Sequence, residues 1–163
     1  MLKRIQLALA EIKATLLNNE TIRKLLYNDS NNCLNMETPT VKNTEKYITL
    51  RPVFQFENND DYAQNGMINI VLANGEPNDE ANIFDAIIQV NIVYNTDKWE
   101  LVDNKIRTIE LADKVIELLN NKKFSVSNEI EFTNLQELIL SKQLVGYALL
   151  FAVNDGNSNL EKF

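Results

Sequence analysis

The chain has 163 residues, of which 45% are hydrophobic and 24% are charged, and its formal net charge is −7. This composition is that of one globular domain and excludes a mainly disordered protein. An acidic chain disfavours nucleic-acid binding, which depends on neutralising phosphates, and no apolar run reaches the roughly 20 residues of a membrane span. Gln6 and Glu11 interrupt the apolar stretch at the N-terminus, so the sequence does not predict a signal peptide. We therefore expect a cytoplasmic chain.

Two helices are predicted at the N-terminus. Apolar residues recur every three or four positions, which is typical of an amphipathic helix: Leu2, Ile5, Leu9, Ile12 and Leu16. This stripe either covers a sheet or binds a partner. Asn18 or Asn19 ends the first helix and caps a second one in ETIRKLLYN. Residues 28–46 then form a long polar loop, and loops of this length are commonly functional or mobile.

Strands are predicted beyond this loop. The first covers residues 46–56, and Pro52 places it at an edge or at a bulge of the sheet. A second strand covers residues 67–73 and is followed by the polar loop 74–82. The third strand has one apolar face and one wetter face, and its apolar face contains Phe84, Ala86, Ile88, Val90, Ile92 and Tyr94.

A long helix and a closing strand complete the chain. Asp103 is the predicted N-cap of the helix and Asn120–Asn121 its stop, with an apolar stripe of Ile106, Ile109, Ala112, Ile116 and Leu119. The closing strand, 145–153, is apolar on both faces and is therefore central, and residues 154–163 form a flexible polar tail. The predicted fold is α+β: a single domain over residues 1–163, with a mixed or antiparallel sheet, an N-terminal helix and one long helix packed on one face.

The sequence contains few residues suited to catalysis. Histidine is absent and the chain has four glycines, which excludes histidine-based triads and Gly-rich phosphate loops. The acidic loops around Asp60 and Asp79 lack the spacing of a calcium loop. The single cysteine, Cys33, lies near Asp29 and Glu37, which raise a thiol pKa and disfavour a reactive thiol. We therefore expect no enzyme, no metal and no cofactor, and a function based on protein contacts.

Three stretches resemble the neck and tail-completion proteins of tailed bacteriophages, and the tail terminators in particular. NNETIRKLLYNDSNNCLN is similar to the short helix and polar loop of that family. IIQVNIVYNTDKWELVDNKIRTIELADKVIELL is similar to its long strand, Asp-x-Trp turn and Arg-led helix, and LQELILSKQLVGYALLFAVND to its closing hairpin. Together the stretches cover more than half of the chain in the expected order.

The resemblance implies a domain that assembles into a ring, commonly a hexamer, which caps the tail tube and joins the tail to the neck. It implies the tail tube protein and a neck or connector protein as partners, with DNA passing through the lumen without specific binding and no contact with a membrane. The protein would then reside in the virion and assemble in the host cytoplasm. The alternatives are a head–tail adaptor or stopper, a tube or sheath component, and an enzyme or metal-dependent binding domain.

The candidate functional residues are therefore interface residues. For contacts to the tube or neck the candidates are Asp60, Asp61, Tyr62, Glu76, Asn78 and Asp79. For contacts between subunits they are Tyr47, Arg51 and Trp99. Trp99 either anchors such an interface or covers one end of the core. Arg107 is placed on the polar side of the long helix, where it can pair with an acidic neighbour.

Overall fold

A computed structural model of the chain describes residues 2–51, 66–78, 83–126 and 128–156. Its helices are α1 (Leu2–Asn18), α2 (Glu20–Tyr27), α3 (Val41–Thr44) and α4 (Arg107–Leu119). Its strands are β1 (Ile48–Arg51), β2 (Met67–Asn78), β3 (Ile83–Asn95), β4 (Glu100–Leu101), β5 (Lys105–Ile106), β6 (Lys122–Lys123), β7 (Glu129–Ile139) and β8 (Leu144–Gly156). The predicted α+β fold with an N-terminal helix is confirmed.

The main sheet has six strands in the order β1-β2-β3-β8-β7-β6, while β4 and β5 form a separate two-stranded ribbon. β1 runs parallel to β2, and the other neighbours in the main sheet are antiparallel. β1 is an edge strand, as predicted from Pro52, which itself lies outside the described residues. β8 is central, as its two apolar faces predicted, because each face of a central strand packs against other residues.

Two predicted loops are more ordered than expected. β2 continues to Asn78, so NGEPN belongs to the β2–β3 hairpin rather than to a loop. A register shift lies between Leu72 and Asn74, and beyond it pairing with β3 outweighs the preference of these residues for turns. Residues 28–46 contain α3 and the 3₁₀ turns Cys33–Asn35 and Glu45–Tyr47.

The core lies between the helices and one face of the sheet. α1 packs on β1 and β2, and α4 packs on β3, β7 and β8. The opposite face holds a small apolar cluster of Met67, Val93 and Leu144. The expectation that this face of β3 is wetter is wrong at Asn91, which is fully buried. No helix within the described ranges combines the length and apolarity needed to cross a membrane.

The long helix is rotated relative to the predicted stripe. Ile109 is 47% exposed and Ile106 40% exposed, while the buried residues are Arg107, Thr108, Leu111, Ala112, Val115 and Leu119. The predicted N-cap is also wrong: Asp103 has φ 64° within a tight turn, and the helix begins after Ile106. The predicted stop is right, since Asn120 ends the helix and Asn121 has φ 58°.

The cap of α2 gives a first testable prediction. The Asn19 side-chain oxygen accepts a hydrogen bond from the backbone N–H of Ile22 at 3.1 Å. Because Asn19→Ala leaves this N–H without its cap, we expect the free energy of unfolding to fall by about 1 kcal/mol in urea titration. The neighbouring Asn18→Ala, at an exposed position, is the control, and an equal loss in both variants would contradict the assignment.

Candidate functional site

Arg107 is the largest fully buried side chain of the described residues, with 0% exposure. It begins α4, and its backbone N–H donates to the Trp99 carbonyl oxygen at 2.8 Å. Its guanidinium carbon lies 4.8 Å from the centre of the Tyr94 ring, a distance at which a cation and an aromatic face attract each other. The expectation that Arg107 lies on the polar side of the helix is therefore wrong.

The guanidinium connects three separate parts of the chain through backbone carbonyl oxygens. Its nitrogens donate to four of them: Leu25 O (2.6 Å), Asn28 O (2.7 Å), Ser30 O (2.8 Å) and Lys98 O (2.9 Å). The planar fork of arginine suits such an arrangement, since it presents five donors in a fixed geometry. Arg107 thus holds the end of α2, the segment after it and the turn after β3 against the start of α4.

Trp99 lies in the turn that Arg107 organises. Its indole N–H donates to the Tyr94 carbonyl oxygen at 3.2 Å, and its half-buried ring packs against the core. Lys98 forms an ion pair with Asp29 at 2.7 Å, which joins the same two segments at the surface. This position favours the interpretation that Trp99 covers one end of the core. The exposed part of its ring stays a candidate for contact with another subunit.

Cys33 lies beside the arginine, and Arg107 Nη1 donates to its Sγ at 3.4 Å. Burial raises the pKa of the Cys33 thiol, and the positive charge of Arg107 opposes part of this rise. The raised pKa agrees with the prediction from sequence. The main cause differs from the predicted one, because burial of the thiol, rather than the charge of neighbouring acids, raises the pKa. A neutral, fully buried thiol is a poor nucleophile.

Tyr94 makes the stability of the protein sensitive to alkaline pH. Burial raises the pKa of Tyr94 to about 12, against the partly opposing charge of Arg107. An unfolded chain loses the same proton near pH 10, so the folded state retains it over the interval between. The stabilising contribution of Tyr94 is therefore fully present below about pH 10. The free energy of unfolding falls as the pH rises from there towards 12.

We expect this loss to reach about 2 kcal/mol, measured by urea unfolding at several pH values between 9 and about 12. Tyr94→Phe is the matched variant, since it keeps the ring and removes the titrating hydroxyl. The free energy of unfolding of the wild type minus that of Tyr94→Phe should therefore fall as the pH rises. Parallel pH profiles of the two proteins would contradict the prediction.

The remaining interface candidates are scattered. Tyr47 is buried, with 7% exposure, and has little surface to offer a neighbour. Arg51 ends β1 opposite Val71, and Asn78 ends β2 opposite Ile83. Glu76 is exposed on β2. Four candidates lie outside the described residues, and their roles stay predictions: Asp60, Asp61, Tyr62 and Asp79.

Glu76 belongs to an acidic depression that the sequence did not indicate. It faces Asp85 across the β2–β3 pair, and Glu129 and Glu131 line the same depression of about 390 Å³. Like charges placed opposite each other repel. Nowhere in residues 2–51, 66–78, 83–126 and 128–156 do three or more cysteine, aspartate or glutamate side chains converge in a way that could hold a metal ion.

Sequence reasoning also missed an apolar groove between α4 and the β7–β8 hairpin. The groove has a volume of about 290 Å³ and is lined by Ile109, Ala112, Asp113, Ile116, Leu135 and Tyr147. We call these six residues the apolar groove. The sequence did contain an indication of this groove. The apolar residues of α4 cover a wider arc than the side of the helix that is buried, so some of them remain exposed.

Comparison with known proteins places the chain in a family. A search of curated protein sequences found no match. A family model described as YomW matches residues 19–153, which include α2, α4 and all strands of the main sheet up to the last residues of β8. YomW is a family of phage-derived proteins. Since the match covers most of the 163 residues, the chain belongs to the YomW family and is a phage-associated protein.

Proposed function

We propose that this chain is a structural protein of the phage virion that closes the end of the tail tube as a ring and joins the tail to the neck. The observation that carries the proposal is the match to a phage-derived family over residues 19–153. That range contains the strand, turn and Arg-led helix whose order resembles the tail terminators. In this role the protein acts through contacts with copies of itself, the tube protein and a neck protein.

The structure of the turn supports this reading. In the stretch that resembles the terminators, Arg107 and Trp99 are joined to each other and to the segment after α2. Such a cluster gives the β3–α4 connection one defined shape, which a repeating contact between subunits requires. The net charge of −7 is compatible with a lumen through which DNA passes without being held.

A purely structural role without catalysis belongs to the same proposal. The sequence has no histidine, the commonest general base. The single thiol is buried beside Arg107 with a raised pKa. What the described surface does offer is exposed apolar side chains, among them Leu7, Leu135 and Ile139, which are suited to contacts between proteins.

The test is a phage or prophage in which the gene for this chain is interrupted. If the ring stops growth of the tail tube, electron microscopy of the lysate should show tubes of irregular, excess length that are not attached to heads. Complementation with the intact gene should restore tails of uniform length. Tails of normal length beside unattached heads would instead indicate an adaptor or stopper, and normal infectious particles would contradict a structural role.

A further inference from the structure

We propose that the apolar groove of one copy binds the outer side of α1 of a second copy, so that identical chains join head to tail. The inference deepens the proposed function, on which it rests, by naming the contact from which a ring is built. The outer side of α1 is defined by Lys3, Leu7, Ala10 and Ala14, which we call the outer stripe.

The apolar groove exists because the helices leave part of the sheet uncovered. Leu135 pairs with Leu149, whose side chain is buried beneath the helices, and therefore lies on the same face of the sheet. Even so, Leu135 is 43% exposed and Ile139, further along that face, is 64% exposed. Ile109 of α4 lines the same groove as Leu135 and is 47% exposed. Large apolar side chains exposed close together beside a groove are typical of an interaction site.

The outer stripe offers a helix side with one large exposed apolar residue, Leu7. Its members are spaced by four, three and four residues, which places them on one side of a helix, and all of them are exposed. Leu7 is 56% exposed, whereas the opposite side of α1 is buried in the core through Ile5 and Ile12. Ala10 and Ala14 are small and allow close approach of the backbone. A helix of 17 residues can therefore insert Leu7 into a groove in the manner of helix-in-groove recognition.

The charges of the two surfaces are opposite. Asp113 lines the apolar groove, and Glu137 lies on the same exposed face of β7, two residues from Leu135. Lys3 belongs to the outer stripe and Arg4 follows it. Oppositely charged rims favour this pairing and fix its orientation. A groove-to-groove contact would bring Asp113 and Glu137 of one copy towards their counterparts, and like charges disfavour it.

The two surfaces do not cover each other within one chain, since Leu7 and Leu135 are both exposed. A contact between two different surfaces of identical chains is heterologous, and such contacts propagate until they close into a ring or extend as a filament. This is the type of interface that a tail-closing ring needs.

The test uses one variant for each surface: Leu7→Glu for the outer stripe and Leu135→Glu for the apolar groove. Both positions are exposed, so both variants should retain the circular dichroism spectrum and thermal unfolding of the wild type. In sedimentation velocity the wild type should form oligomers, and each variant alone should associate at least tenfold more weakly. Val41→Glu, at a position that is 39% exposed on α3, is the control and should assemble as the wild type does.

Mixing the two variants identifies the type of contact. Leu7→Glu retains an intact groove and Leu135→Glu an intact stripe, so a one-to-one mixture should form dimers and nothing larger. A mixture that remains monomeric would overturn the head-to-tail contact, as would variants that assemble normally or a wild type that stays monomeric at about 1 mM. The proposed function is tested separately: oligomers that form as expected, with tails unaffected by loss of the gene, would contradict the role and leave the contact standing.

Discussion

Replacing Arg107 by methionine should lower the free energy of unfolding by at least about 3 kcal/mol. The reason is that methionine fills part of the volume but donates no hydrogen bond. Four backbone carbonyl oxygens would lose the guanidinium as their hydrogen-bond partner, that of Leu25 in a buried environment and those of Asn28, Ser30 and Lys98 in partly buried ones. Each buried acceptor left unpaired costs about 1–3 kcal/mol, less whatever entering water restores.

The measurement is urea unfolding followed by circular dichroism, with Arg107→Lys as the second variant. Lysine keeps the positive charge but has a single ammonium group, which cannot reach the same four oxygens at once, so we expect a loss of about 2 kcal/mol or more. Lys105→Met, two positions earlier and exposed, is the control and should change stability by less than about 0.5 kcal/mol. If Arg107→Met behaved like this control, Arg107 would not be the residue that joins these segments.

Gly146→Ala should destabilise the protein by about 3 kcal/mol. Gly146 lies in β8 opposite Val93, and a Cβ at this position would lie inside the van der Waals radius of the Ile92 carbonyl oxygen. The obstacle is the backbone of the neighbouring strand in the β3–β8 pair, so it cannot move aside as a flexible side chain would. Glycine in a strand commonly marks such a close approach of another chain segment.

The matched control for Gly146→Ala is Ala148→Gly, which changes one methyl group in the opposite sense two residues along the same face of β8. That variant should cost about 0.5–1 kcal/mol, the usual effect of glycine in a strand. Thermal unfolding by calorimetry distinguishes the two, because the larger loss shifts the melting temperature by several degrees more. Equal shifts would mean that the strands separate easily at this point.

Residues inside the subunit and residues on its surface should affect assembly in different ways. Arg107 and Gly146 act inside the subunit, whereas Leu7 and Leu135 are exposed on its surface. Changes at Arg107 and Gly146 should therefore lower the melting temperature. Changes at Leu7 and Leu135 should weaken association and leave the melting temperature unchanged. This separation allows a loss of association to be attributed to the proposed contact rather than to unfolding.

The regular elements were predictable because they depend on local patterns. The spacing of apolar residues located α1 and α4, and the alternation from Phe84 to Tyr94 located β3, since these periods follow directly from helix and strand geometry. The two apolar faces of the closing strand predicted that β8 is central. A cap at Asn18 or Asn19 was predictable because the short polar side chain of asparagine suits the start of a helix, and the structure places it at Asn19.

The functional surfaces were less predictable, because they depend on which elements meet. A charged residue at the start of α4 is normally solvated, and nothing in the local sequence showed that four carbonyl oxygens from distant segments would surround Arg107. The apolar groove was missed for a related reason. Periodicity identifies Ile109 as part of an apolar stripe, but the area of sheet available to α4 decides which part of that stripe is buried.

By itself, then, the sequence determined the fold class, the positions of the long helices and central strands, and the absence of histidine-based chemistry, since these follow from periodicity and from residue types. Only the tertiary structure decided that Arg107 is an internal connector rather than a surface contact, and that Ile109 and Leu135 are left uncovered. Burial is a property of pairs of elements brought together over long distances in the chain. A local pattern can show that a side chain is apolar or charged, but not whether another element will cover it.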